Sequence, residues 1–214
     1  MPRAGGALHG AMTLRLAVLG DSIAYGTGAS RTGDTLAPRL VADLAAAGIP
    51  AESRLFAVPG AQSADLDAQV ARARAWRPQV ALVVIGANDL TRLVPPATAA
   101  ARLQSALRGL RALGAAIVVA PAPDLSVLPQ VPPALRQVVR AGSALLRQAQ
   151  TRVTLTEGGR VADVAGTTSR AFAADPALLS SDRYHPSSAG YAVIAGAVSP
   201  EVVAAAREVV SSGG

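Results

Sequence analysis

Few side chains in this 214-residue chain are equipped for nucleophilic or acid/base chemistry. There is no cysteine, which removes thiolate nucleophiles, disulfides and Cys-ligated zinc. A hydroxyl nucleophile needs a base within hydrogen-bond reach, and the chain offers two histidines. His9 falls in a leader, which leaves His185 in the run Ser181-Asp182-Arg183-Tyr184-His185-Pro186. Asp182, three residues earlier, is close enough in a turn to accept a hydrogen bond from one ring nitrogen. That fixes the tautomer whose other nitrogen faces a serine. Pro186 pushes His185 out of helical dihedrals and suits the first position of a following helix, so the imidazole is expected on a short loop. The serine is Ser22, in Gly20-Asp21-Ser22-Ile23.

These residues gain meaning from the elements that must deliver them. Leu14 to Leu19 is an apolar run ending in a turn, which fits a buried strand. Asp34 or Thr35 can cap a helix running to about Ala47, followed by a strand at about Glu52 to Ala57. A helix at about Ser63 to Trp76 carries Leu66, Val70 and Ala73 on one face. Val80 to Ile85 is apolar on both faces and β-branched, as an interior parallel strand is. A helix over Ala97 to Leu113, a strand at Ala115 to Ala120 and a proline-rich loop to Pro133 come next. The helix from Ala134 to about Glu157 should bury Leu135, Val138, Val139, Gly142, Leu145, Leu146, Ala149 and Val153. Arg160 to Val164 reads as a last short strand, followed by a loop to about Tyr184 and terminal helical segments interrupted near Pro200. This alternation predicts a three-layer α/β/α sandwich around a parallel sheet.

In such a sheet, sites form beyond the carboxyl ends of the strands. The first strand is followed there by Ser22, the second by Pro59-Gly60, the third by Gly86-Ala87-Asn88-Asp89. The backbone N–H groups of Ser22 and Gly60 and the Asn88 side-chain amide could then meet as donors to the oxyanion of a tetrahedral intermediate. Each motif alone is a common turn or cap; Asp21 and Asp89 read as turn-formers, and Gly26-Thr27-Gly28 lacks the third glycine and the lysine of a phosphate loop.

Taken together, the four motifs resemble the SGNH, or GDSL, family of esterases and lipases, in order and spacing, over about Leu14 to Val198. The resemblance implies a flavodoxin-like sandwich, a metal-free Ser22-His185-Asp182 triad and an oxyanion hole of Ser22, Gly60 and Asn88. Ile23 stands where the family has Leu. Val58 stands where many members carry Asn, which is expected to weaken the hydrogen bonding that orients Gly60.

The chemistry so implied is acylation of Ser22 by a small-molecule carboxylic ester, then hydrolysis. Transfer of the acyl group to a sugar or other alcohol would use the same acyl-enzyme. A catalytically idle binding module is a third reading, against which the complete triad argues. Leu93 and Val94 in one loop, and Leu125, Val127, Leu128 and Val131 in another, either line an acyl pocket for a short to medium aliphatic chain or simply pack their own loops.

Bulk properties narrow the remaining classes. The chain is 50% hydrophobic and 16% charged, enough apolar material for one domain with a core, taken as residues 14–210 between a disordered extension at 1–13 and a tail at 211–214. Translation from Met12 would fit this reading. All 20 basic residues are Arg, as in a GC-rich genome; they are scattered, and aromatics are 3%, so no nucleic-acid partner is expected. No apolar run reaches the roughly 20 residues of a membrane span, and the leader makes a poor secretory signal, so a cytoplasmic location is expected. No cluster of His, Asp and Glu has metal-ligand spacing, and no metal or other cofactor is expected. Oligomeric state is left open.

Overall fold

Five short strands, the inner three of them largely apolar, pair in parallel to form the sheet. The computed structural model describes residues 13–212. The expected extension at 1–13, apart from Thr13, and the proposed start at Met12 lie outside the described residues. Of the expected tail, Ser211 and Ser212 belong to the last helix, and 213–214 lie outside.

The strands are β1 (Leu14–Gly20), β2 (Ala51–Leu55), β3 (Val80–Val84), β4 (Ala116–Ala120) and β5 (Arg160–Val161), in the order β2-β1-β3-β4-β5. Strands β3 and β4 are buried almost throughout, whereas the edge strand β2 exposes Glu52, Ser53, Arg54 and Leu55, a charged edge that resists further pairing. The helices are α1 (Ser22–Tyr25), α2 (Leu36–Ala46), α3 (Leu66–Ala73), α4 (Ala87–Thr91), α5 (Pro96–Ala112), α6 (Arg136–Thr156), α7 (Val164–Ala174) and α8 (Ser188–Ser212).

Strand side chains alternate between the two faces of the sheet. Leu16, Val18, Leu82 and Val118 pack with Leu40 of α2 and Val198 of α8. Ala17, Leu19, Val83 and Val119 pack with Leu66 of α3 and Leu107 of α5. The result is the expected α/β/α sandwich with flavodoxin-like strand order, and the reversal of chain direction across the sheet falls between β1 and β3.

Four expectations need correction. The stretch after Arg160 is a strand of only two residues, and the supposed loop contains α7, started by Asp163, whose carboxylate accepts the Gly166 N–H. The C-terminal segments are one helix, α8, with Pro200 inside it; Pro200 is exposed, so the carbonyl its ring leaves unpaired faces water while the buried face runs on unbroken. Length and composition alone would let α8 cross a bilayer, a property hidden by splitting it at Pro200, but Tyr191, Ile194, Val198 and Val202 pack against the sheet instead. Finally, the inward face of α6 is rotated from the expected stripe. Leu146 is buried as expected, and Val139 and Val153 pack against core clusters, but Ser143, Gln150 and Thr154 are the other buried residues, while Val138 and Leu145, and Leu135 just before the helix, are more than half exposed. Three of its four buried side chains are polar: Ser143 and Gln150 hold loop backbone, and the Thr154 hydroxyl donates to the Gln150 carbonyl of the same helix.

The tip of β1 is the most constrained part of the sheet. Gly20 has φ +132, and a Cβ there would sit 1.8 Å from the Val84 carbonyl oxygen. Asp21 follows, almost fully buried, its N–H donated to the Val84 carbonyl at 3.1 Å and its carboxylate accepting the Ile23 N–H at 2.9 Å. Burial pushes the Asp21 carboxyl up to about 7, with the nearby Asp89 charge adding to the rise against the Ile23 hydrogen bond.

Gly20→Ala is therefore expected to lose at least about 3 kcal/mol of stability from clash and backbone strain, read as a fall in melting temperature. Between its ordinary value of 3.8 and about 7, Asp21 is ionised in the unfolded chain but protonated in the folded one. Unfolding then releases a proton, and stability falls as pH rises through that window. Asp89, also raised by burial, acts in the same direction, whereas a lowered carboxylate such as Asp182 acts only at lower pH. Asp21→Asn should show a shallower fall in melting temperature from pH 4 to pH 7 than the parent protein, and parallel curves would refute the assignment.

Candidate active site

The turn leaving β1 presents Ser22 at the first position of α1, capped by the Asp21 carboxylate and ended by Gly26 in the left-handed conformation. Ser22 is nearly buried, and His185 approaches it from the other end of the chain. The loop carrying His185 is closed at its base by an antiparallel bridge between Leu179 and Pro186 and by the Ser180 N–H donated to the His185 carbonyl at 2.8 Å. Within it, Asp182 Oδ1 accepts from the Ser180 hydroxyl and from the N–H groups of Tyr184 and His185 at 2.8 to 2.9 Å.

The other oxygen, Oδ2, lies 2.6 Å from His185 Nδ1, and His185 Nε2 lies 3.0 Å from Ser22 Oγ. An ionised carboxylate only accepts, so Nδ1 carries the proton and Nε2 is left to accept from the Ser22 hydroxyl. Desolvation works to raise the Asp182 pKa, but the bonds from the His185 ring, the His185 and Tyr184 N–H groups and Ser180 outweigh it and hold the carboxyl well below the usual range. The Tyr184 ring stands edge-on to the imidazole, centroids 5.0 Å apart.

Two features join the serine and histidine loops. Gly28 has φ +95, and a Cβ there would meet the Pro186 carbonyl oxygen at 2.5 Å and His185 Cβ at 2.9 Å. The Tyr191 hydroxyl, fully buried on α8, donates to the Thr27 carbonyl at 2.8 Å. The Gly-Thr-Gly run, read from the sequence only as a poor phosphate loop, thus serves as the contact surface for the histidine loop.

The Gly60 and Asn88 loops are laced together beside Ser22. Val58 donates its N–H to the Gly20 carbonyl at 3.0 Å, and its own carbonyl accepts the Ala61 N–H at 3.1 Å, closing a turn with Pro59 and Gly60 (φ +82) at its centre. This is the geometry of a type II Pro-Gly turn, in which the central Gly N–H is not used. Backbone bonds thus do the orienting that Val58, in place of Asn, was expected to weaken. Asn88 Nδ2 donates to the Ala61 carbonyl at 3.0 Å, and Asp89, buried beside it, accepts from the Ser63 N–H and hydroxyl at 2.9 to 3.1 Å. Burial raises the Asp89 pKa against the pull of those Ser63 bonds. Among the described residues, the N–H groups of Ser22 and Gly60 have no backbone or side-chain acceptor.

An apolar cavity of about 80 Å³ opens between Ser22 and His185. Leu125, Val127 and Leu128 line it as anticipated, but Leu93 and Val94 do not: Leu93 is 87% exposed, and Val94 packs against the small cluster of Ala99, Ala122 and Leu146. Val131 packs near Leu125 and Leu128 without lining the cavity. Neither Gly60 nor Asn88 borders it; Gly60 edges a shallower hollow beside Gln69 and Arg72. The opposite wall is Val164, Thr168 and Phe172 of α7, missed in the sequence although their spacing of four marks one helical face. The loop from Pro121 is held by Gln150, which accepts the Ala122 N–H at 2.8 Å and donates to the Ile85 carbonyl at 3.1 Å. Among the described residues, no three His, Asp or Glu side chains converge as a metal site would require.

Comparison with known proteins agrees with this architecture. The profile of the GDSL-like Lipase/Acylhydrolase family matches residues 18–193. A GDSL-like esterase of Mycobacterium tuberculosis is 39% identical over 119 residues, which are 55% of this chain and 38% of that protein, so the match spans well under half of the relative's length. The fold is shared with the crystal structure of TesA (TM-score 0.73, 22% identity, 89% of this chain and 99% of that one). It is shared too with Axe2, an acetylxylan esterase from Geobacillus stearothermophilus (TM-score 0.73, 19% identity, 90% and 96%). Matched over most of its length by the family profile, the chain belongs to the GDSL-like lipase/acylhydrolase family.

Proposed function

We propose that this protein hydrolyses small carboxylic esters with Ser22 as nucleophile, His185 as general base and acid, and Asp182 as the group that orients His185. The observation that carries the reading is the unbroken chain of hydrogen bonds Ser22 Oγ, His185 Nε2, His185 Nδ1, Asp182 Oδ2, at 3.0 and 2.6 Å. Family membership and the esterases that share its fold support it.

In acylation, Ser22 Oγ attacks the ester carbon as its proton passes to Nε2, and the charge that forms on the ring is balanced by Asp182. The carbonyl oxygen becomes an oxyanion served by the N–H groups of Ser22 and Gly60 and by the second Nδ2 hydrogen of Asn88, the first being given to Ala61. The intermediate collapses, and the leaving alkoxide takes the proton from Nε2. A water then attacks the acyl-enzyme, gives its proton to Nε2, and the acid departs as Ser22 recovers that proton.

The acyl chain occupies the apolar cavity. Its volume of about 80 Å³ is roughly half that of a cavity known to accept benzene, which favours a short chain, on the order of two to four carbons.

A chromogenic ester series of increasing acyl length should show turnover with an optimum at the short end, and Ser22→Ala should lose at least about a thousandfold in kcat. Absence of turnover on every ester, or equal activity in Ser22→Ala, would overturn the reading. Phe172→Ala removes a wall of the cavity and should move the optimum to longer acyl groups; an unchanged optimum would place the acyl chain elsewhere.

A further inference from the structure

The geometry points to Gln69 as a positioning residue for the oxyanion hole, an inference that rests on the ester-hydrolase reading of the site. Strand β2 ends at Leu55, and beyond it the Phe56 N–H still reaches the Val18 carbonyl and the Val58 N–H the Gly20 carbonyl. The Gly20 N–H, on the last residue of β1, is taken instead by a side chain. Gln69 Oε1 accepts it at 2.7 Å, while Gln69 Nε2 donates to the Gly20 carbonyl at 2.8 Å. Gln69 is 1% exposed and stands on α3 beside Leu66, Val70 and Ala73, a row that faces the sheet. Its amide acts toward Gly20 as the peptide of a neighbouring strand would.

The consequence reaches two of the three proposed oxyanion donors. Holding both polar atoms of Gly20 fixes the backbone from which Asp21 and then the Ser22 N–H follow, at a residue whose φ of +132 only glycine adopts readily. The same Gly20 carbonyl anchors Val58, whose carbonyl in turn closes the turn that presents Gly60. One side-chain amide thus grips the common anchor of the Ser22 and Gly60 N–H groups, and their mutual angle depends on it. Gln69 itself touches neither of those donors among the described hydrogen bonds; it acts through Gly20.

Gln69→Met keeps the length and bulk of the side chain while removing both bonds. Steady-state kinetics on the best ester should show kcat lowered by about tenfold or more with KM within about twofold, the pattern of a loss felt mainly in the transition state. The rate at which a fluorophosphonate labels Ser22 should fall by the same factor, because its phosphoryl oxygen must enter the same hole. Should the Met variant fail to fold by circular dichroism, Gln69→Glu, which keeps an acceptor for Gly20 N–H but loses the donor, is read in the same way. A folded variant whose kcat and labelling rate stay within about twofold of the parent would overturn the inference, even if its melting temperature drops, as would a rise in KM at unchanged kcat. A parent protein that is labelled at Ser22 yet hydrolyses no ester would sink the ester reading while leaving the labelling rates to decide on Gln69. A parent that is neither labelled nor active would overturn both.

Discussion

A hydroxyl and an imidazole 163 residues apart must meet at 3.0 Å, and much of the molecule is arranged around that one hydrogen bond. Ser22 is fixed by β1, and His185 by the short loop that leads into α8, so the distance is set by how α8 lies on the sheet. Its contacts are extensive: Tyr191, Ile194, Val198 and Val202 are all buried, each worth roughly 1.5 to 3 kcal/mol of apolar transfer for the aliphatic residues. Packing of this kind fixes a helix to the sheet but not to tenths of an ångström. The finer adjustment comes from polar and steric contacts near the junction: the Tyr191 hydroxyl on the Thr27 carbonyl, the Ser30 and Ser188 hydroxyls at 2.8 Å from one another, and the close seat of His185 on Gly28.

Burying polar side chains at the carboxyl end of the sheet would cost about 1 to 3 kcal/mol each if they were unpaired, and here nearly every one is paired to backbone. Gln69 holds Gly20, Gln150 holds Ile85 and Ala122, Asp89 holds Ser63, and Asp21 holds Ile23. All four fix strand ends or the turns that follow them. The two aspartates also carry raised pKa values, so their burial opposes stability as pH rises. The network is therefore better understood as fixing conformation than as adding net stability, since an apolar substitute would pack but leave the loops free to choose other turns.

The legibility of this fold in the sequence follows the same division. Strands such as Val80–Val84 and helices such as Pro96–Ala112 were readable because burial on both faces, or on one stripe, imposes a hydrophobic period. The rim of motifs is readable because three follow strand ends, the fourth precedes the last helix, and their order resembles a family. What periodicity could not reveal is any inward position filled for hydrogen bonding. Gln69 interrupts the apolar row of α3, and Ser143, Gln150 and Thr154 make the buried face of α6 look like its wet one, so that the apolar stripe through Val138 and Leu145 misleads about the core side. Helix α7 was hidden by Gly166 and two adjacent threonines, weak helix formers that are overridden by the Asp163 cap and by Phe172 packing inward. Without α7, half of the cavity wall is invisible in the sequence.

The two halves of the site are also held by different means. The polar groups sit on loops whose backbone is held by several hydrogen bonds: Asp182 alone fixes Ser180, Tyr184 and His185, and the Val58–Ala61 turn is locked to Gly20. The apolar cavity, by contrast, is enclosed by α7 on one side and by the segment from Pro121 to Leu128 on the other. Across the cavity their side chains face one another through apolar contact. Phe172 and Leu128 border the space without taking part in the hydrogen bonds that align Ser22, His185 and Asp182. The alignment of the hydrogen-bonded groups and the width of the cavity are in this sense mechanically separable. Tyr184 stands at the junction between them: its ring meets His185 edge-on, and it packs against the cluster of Ala87, Leu125 and Leu128. Burial and the nearby carboxylates of Asp21 and Asp182 raise its phenol pKa, so this shared wall stays neutral.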